Sequence, residues 1–171
     1  MSVQADSTAA LRVARALEVL DQVPDPEIPT VSVRDLGIVR EVWCAGDDLQ
    51  VVLTPTYSGC PATELIETQV REALEAAGLG PVRTELRRAP AWTTDWISAR
   101  GRQALLDSGI VPPGPVSTER AVSIRFHPPR IACPRCGSTQ TETLSRFGAT
   151  ACKSLHRCLA CREPFERFKP I

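Results

Sequence analysis

Apolar positions along this chain recur with a helical period in three places and with a strand period in others. Within residues 7–23, Ala10, Leu11, Ala14, Leu17, Val19 and Leu20 form a broad apolar stripe, and Ser7 is its candidate cap. Val23-Pro-Asp-Pro-Glu-Ile-Pro-Thr30 then breaks the period, because three prolines hold an extended, kinked loop. Asp35-Leu-Gly37 turns into a strand-like run over 38–44; Gly46-Asp-Asp48 marks a hairpin, and residues 49–54 return. A second helical stripe starts at Pro61, runs through Leu65, Ile66, Val70, Ala73, Leu74 and Ala77, and stops at Gly78. Residues 82–87 alternate with period two, as a third strand does. The predicted order, helix-strand-strand-helix-strand, is a small α+β sandwich with its helices on one sheet face.

Beyond it, Ala89-Pro-Ala-Trp-Thr-Thr-Asp-Trp96 reads as a loop into a shorter helix over 95–107, closed by Gly109. Trp92 and Trp96 are expected to pack in this extension, with a partner-binding surface as the other reading. The proline-rich run 110–115 reads as a stiff linker, and 121–126 as one more strand. The resulting division is a domain over 1–110, a linker over 111–130 and a small module over 131–171.

Composition narrows the classes. Apolar residues make up 43% of the 171, enough for a packed core. No apolar run reaches the ~18 residues that span a bilayer. The opening residues lack the basic start and apolar run of a secretory signal, so the expected compartment is the cytoplasm and no membrane partner is expected. The formal net charge is zero but unevenly spread. Residues 1–115 hold 16 acidic against 10 basic side chains, −6; residues 116–171 hold 4 against 10, +6. The basic arginines are scattered without interleaved aromatics, so a solvated surface or an acidic partner is expected there rather than nucleic acid.

Two cysteine patterns carry candidate chemistry. Gly59-Cys60-Pro61 follows the second strand, and with Pro61 at the first helical position Cys60 becomes the N-cap. Free N–H groups and the helix dipole would favour a thiolate there; the other reading is a small packed hydrophobe. Asp25 and Glu27 stand on the stiff loop. Cys133-Pro-Arg-Cys136-Gly137 and Cys158-Leu-Ala-Cys161-Arg162 are two C-x-x-C steps separated by 21 residues, the spacing of two knuckles that complete a tetrahedral S₄ site. Structural Zn²⁺ is the leading occupant, iron the alternative. Gly137 suits the sharp turn of the first knuckle, whereas Arg162 replaces glycine in the second. Cys152 and His156, between the knuckles, could each replace a ligand. No phosphate-cradling loop, no H-E-x-x-H helix and no evident general base argue for an enzyme.

Asp25-Pro-Glu-Ile-Pro through Asp35-Leu-Gly37, followed by Leu53-Thr-Pro-Thr-Tyr-Ser-Gly-Cys-Pro-Ala62, resembles the MIP18 (DUF59) family of small α+β domains associated with iron–sulfur cluster assembly and carriage. Ala91-Trp-Thr-Thr-Asp-Trp-Ile97, Cys133-Pro-Arg-Cys-Gly-Ser138, Phe147-Gly-Ala-Thr-Ala-Cys-Lys153 and Glu163-Pro-Phe-Glu-Arg-Phe-Lys169 extend the resemblance over nearly the whole chain. There it is similar to the D subunits (J in some naming schemes) of phenylacetyl-CoA 1,2-epoxidases. The resemblance implies a MIP18-like domain with a C-terminal zinc ribbon, in an accessory component of aerobic phenylacetate catabolism rather than an enzyme. Its implied task is maturation: helping iron or a cluster reach the diiron oxygenase subunit or the iron–sulfur reductase. By the same analogy Cys60 would handle a transient iron–sulfur cluster or iron, with Asp25, Glu27 and Asp35 shaping its surroundings. A cluster on one cysteine needs further ligands, so a homodimer or a transient complex is expected. The alternative is a structural or docking component of the same oxygenase complex.

Overall fold

The computed structural model describes residues 2–57, 59–114 and 131–170, with side chains from Ser7 onward. They form two compact units, one of residues 1–92 with 96–101, the other of 93–95 with 102–171. The strand expected over 121–126 and residues 115–130 of the expected linker lie outside the described residues.

In the first unit, α1 (Ser2–Leu20) is followed by the hairpin β1 (Val39–Ala45) and β2 (Asp48–Leu53), then α2 (Thr63–Ala76) and β3 (Val82–Leu86). The sheet order is β1-β2-β3, antiparallel between β1 and β2 and parallel between β2 and β3. This is the predicted α+β order. Strand β2 is central; burial alternates over Asp48–Val51 and becomes continuous over Val51, Val52 and Leu53, where both faces are covered. Helix α2 buries Ile66, Val70 and Leu74 at i, i+4 spacing and packs on α1 and β3. It ends as expected at Gly78 (φ +73°), where Leu79 N–H donates to Leu74 O at 3.1 Å and Gly78 N–H to Glu75 O at 3.0 Å. These two bonds satisfy the carbonyls left open at the helix end.

One local boundary differs. Helix α1 begins at Ser2, so Ser7 lies within it and caps nothing. The proline loop over 23–30 buries Val23 and Ile28 and leads into Val31, Val33, Leu36 and Ile38, all at most 5% exposed. Proline stiffness fixes the path, and Val23 and Ile28, on either side of the buried Asp25, turn it inward. Trp92 is buried, its indole N–H donating to Leu36 O at 2.9 Å, and Trp96 lies under the Arg40 guanidinium at 3.4 Å from the ring centroid. Both therefore pack against this unit.

The predicted short helix divides into a 3₁₀ turn (Thr94–Trp96) and α3 (Ala99–Asp107), which ends before Gly109 at φ +78°. In the second unit β4 (Ile110–Val111), β5 (Thr141–Ser145), β6 (Lys153–Cys158) and β7 (Pro164–Phe168) form one sheet in the order β4-β7-β6-β5. Ile110 and Val111, the first residues of the expected linker, pair in parallel with β7. One apolar cluster beneath it is formed by Cys133, Cys158 and Phe165, with Val111 and Ile131 packed against them, and Ile110 and Phe168 are buried as well. No helix among the described residues is long and apolar enough to cross a membrane.

Candidate functional site

The four ribbon cysteines converge. Sγ atoms of Cys133, Cys136, Cys158 and Cys161 all lie within 4.8 Å of one another. Cys133 is 3.7 Å from Cys161 and Cys136 3.5 Å from Cys158, each pair crossing from one knuckle to the other. A tetrahedral ion with metal–sulfur bonds of about 2.3 Å needs sulfur–sulfur edges of about 3.8 Å, so the donor set fits one such ion. Both knuckles are built by backbone bonds: Gly137 N–H to Cys133 O at 2.9 Å, and Cys158 N–H to Glu163 O at 3.0 Å. Gly137 turns the first at φ +73°, and in the second Arg162 adopts φ +64°, the left-handed region that side chains resist. Without an ion the thiols compete for charge. The Cys161 N–H, 3.5 Å from Cys158 Sγ, leads in holding that thiol down to about 6. The Glu163 N–H pulls Cys161 down, but burial and the three facing sulfurs push it up to about 12. A divalent cation in their midst removes that competition by deprotonating all four.

Neither intervening candidate joins the cluster. His156 is buried and stacked on Phe165 at 5.5 Å, with Thr143 Oγ1 3.3 Å from Nδ1 and Ser154 Oγ 2.8 Å from Nε2. Both ring nitrogens are thus engaged, and burial, with the Arg167 charge, lowers its pKa. Cys152 is buried with its sulfur 3.0 Å from Thr150 Oγ1.

The thiol of the first unit departs from expectation in two ways. Cys60 does not cap α2: the helix starts at Thr63 with Ala62 as N-cap, and Cys60 O accepts Thr63 N–H at 3.3 Å and Thr63 Oγ1–H at 2.9 Å. Turn residues Gly59, Pro61 and Ala62, with Thr63 N–H bonded to Cys60 O at 3.3 Å, replace the first helical turn, so Pro61 precedes the helix. Nor is the thiol acidified. Burial pushes it up; the Ala62 N–H and Thr63 hydroxyl favour the thiolate, but the charges of Glu27 and Asp25 add to the upward shift. Half-buried Cys60 is a neutral thiol near two carboxylates.

Asp25 and Glu27 are thus brought into the electrostatic surroundings of Cys60. Asp25 is 6% exposed and its Oδ1 accepts N–H bonds from Glu27 at 2.9 Å and Ile28 at 2.8 Å, which closes the proline loop on itself. Asp35 faces another set of partners. Its carboxylate accepts from Ser98 Oγ at 2.5 Å, Arg100 Nε at 2.9 and 3.1 Å and Ser32 Oγ at 3.1 Å. Among the described residues, the ribbon cysteines are the one group of three or more His, Cys, Asp or Glu side chains placed to share an ion.

Comparison with known proteins gives these two centres a context. Residues 14–85 match the family described as "Iron-sulfur cluster assembly protein", and residues 117–169 the "PaaD zinc beta ribbon domain". The chain is 48% identical over 152 residues, 89% of each chain, to an Escherichia coli (strain K12) protein named as the putative D subunit of 1,2-phenylacetyl-CoA epoxidase. The chain belongs to this PaaD family of phenylacetyl-CoA epoxidase subunits. Asp25, Glu27, Asp35 and Cys60 fall in its assembly-protein match, and all four clustered cysteines fall in the PaaD ribbon match. The chain is also 35% identical over 97 residues to the "Fe-S protein maturation auxiliary factor" of Porphyromonas gingivalis (strain ATCC BAA-308 / W83), covering 56% of this chain and 89% of that protein. A DUF59 domain from Bacillus anthracis, 22% identical, superposes with a TM-score of 0.54 over 58% of this chain and 96% of that one, and shows the α+β fold.

Arg100 and Ser98, the partners of Asp35, escape sequence reasoning. They lie 65 and 63 residues further on, and no local periodicity signals such a pairing. The turn residue Thr63, three positions after Cys60, was legible in principle as a Thr whose hydroxyl caps a carbonyl.

Proposed function

We propose that this chain is a maturation factor: it helps iron or an iron–sulfur cluster reach the multicomponent oxygenase that epoxidises the ring of phenylacetyl-CoA, and does no ring chemistry itself. One observation carries the reading. A region matching iron–sulfur assembly proteins is joined to a zinc ribbon of the PaaD type, along a relative that matches 89% of the chain. The maturation-factor names of the shorter relatives support the same assignment for the first unit.

In this reading Cys60 is the metal-handling thiol. The charges of Asp25 and Glu27 that raise its pKa also attract a cation, so uptake of iron exchanges the thiol proton for metal. A [2Fe–2S] unit takes four protein ligands, so a second copy, a client cysteine or glutathione completes the set. The ribbon cysteines hold structural Zn²⁺; four thiolates leave no position open for water, so that ion has no catalytic part. The clients are the diiron subunit or the iron–sulfur reductase, and the setting is the cytoplasm.

A docking role is the second reading, favoured by the lack of a converging third ligand at Cys60 among the described residues. Cys60→Ser separates the two. In cells carrying the variant at wild-type abundance, the maturation reading expects the iron content of purified oxygenase and reductase to fall several-fold. Unchanged iron content with stable, stoichiometric co-purification leaves docking as the function.

A further inference from the structure

We propose that the ribbon's sulfur cluster is an oxidation site, at which a hydroperoxide joins one exposed and one buried cysteine across the knuckles and expels the ion. The proposal rests on the reading that the four thiolates hold zinc.

Three conditions define a cysteine open to peroxide: thiolate character, access, and a second sulfur close enough to close a disulfide. The ion supplies the first by keeping all four sulfurs deprotonated. Access is uneven, since Cys136 and Cys161 are exposed while Cys133 is 2% and Cys158 0% exposed. Each exposed residue has a buried partner in the opposite knuckle, Cys136 with Cys158 at 3.5 Å and Cys161 with Cys133 at 3.7 Å. The other cysteines meet the conditions less well. Cys44 directs its sulfur to Ala9 O, Cys60 is a protonated thiol beside carboxylates, and Cys152 is buried against Thr150.

The step balances. The Cys136 thiolate takes one oxygen as the O–O bond breaks, giving a sulfenic acid and an alkoxide that water protonates. The Cys158 thiolate then attacks that sulfur, forming the S–S bond and displacing hydroxide. The two thiolates lose two electrons to the peroxide, which leaves as alcohol, and two hydroxides are released in all. Two remaining thiolates hold the ion too weakly to retain it. The consequence reaches the fold, because Cys133 and Cys158 pack with Phe165 in one of the ribbon's buried clusters and are themselves ligands. Losing the ion therefore loosens the module that it closes.

The test uses the purified full chain. Elemental analysis first establishes about one zinc per chain; a zinc-free chain overturns both the zinc reading and this proposal. Titration with tert-butyl hydroperoxide follows, with zinc release read by a chromogenic chelator and disulfides mapped by non-reducing peptide mass spectrometry. The expected result is zinc release at about one equivalent of peroxide consumed, with Cys136–Cys158 or Cys133–Cys161 linkages, reversed by dithiothreitol and added zinc. A Cys44→Ser/Cys60→Ser variant, which leaves the ribbon untouched, is expected to release zinc equally. Zinc retained while Cys44 or Cys60 oxidises, or a linkage confined to Cys133–Cys136, overturns the proposal and leaves the zinc reading standing.

Discussion

Asp35→Ala is the sharpest perturbation of the first unit. Burial alone would raise the carboxyl pKa; hydrogen bonds from Arg100, Ser98 and Ser32, with the Arg100 charge, outweigh it and hold the group below its ordinary value. The Arg100 side chain is 58% exposed, so solvent screens its contribution to under about 1 kcal/mol. The two hydroxyl bonds reach a carboxylate that is only 11% exposed, and each is worth about 1.5 kcal/mol. Asp35→Ala is therefore expected to cost about 3 kcal/mol, a urea midpoint lower by about 1–2 M. All three tryptophans, Trp43, Trp92 and Trp96, lie in this unit, so their fluorescence reports its unfolding. The folded-state pKa is depressed, so the stabilisation is fully present above the unfolded carboxylate value of about 3.9 and is lost as pH falls through the lower folded value. Asp35→Asn is expected to flatten that acid limb. A loss below about 0.5 kcal/mol in Asp35→Ala, or an unaltered acid limb in Asp35→Asn, refutes this account of the carboxylate. Normal stability with lost iron handling would instead return Asp35 to the Cys60 site.

Two further outcomes concern the ribbon. Arg162→Gly removes a left-handed strain of about 1–2 kcal/mol, offset by about 0.5–1 kcal/mol of added freedom in the unfolded chain. Zinc affinity, measured by chelator competition, is expected to tighten about two- to fivefold. Stripping the ion with a strong chelator is expected to abolish the β signal of the ribbon in circular dichroism while tryptophan fluorescence is unchanged; a ribbon spectrum that survives stripping would show that the module folds without metal.

The four-sulfur centre was legible before any coordinates because its rule is local. Each C-x-x-C step places two sulfurs on one tight turn, and Gly137 against Arg162 already marked where that turn would strain. The order of helices and strands was legible for the same reason, as periodicity along the chain is a short-range property of which face is buried. Boundaries shifted where turns compete with helix, most clearly at residues 60–63, where Cys60 O bonds Thr63 and the helix starts late.

Periodicity and chelate spacing therefore wrote the α+β order and the metal centre directly into the chain. The ionisation of Cys60 was not written there, because burial and two carboxylates 33 and 35 residues earlier outweigh the nearby N–H groups. The partnership of Asp35 with Arg100 and Ser98, the inward course of the proline loop and the split between exposed and buried ligands are likewise products of packing. Electrostatics and burial act through space, and distances through space are set only once the chain has folded.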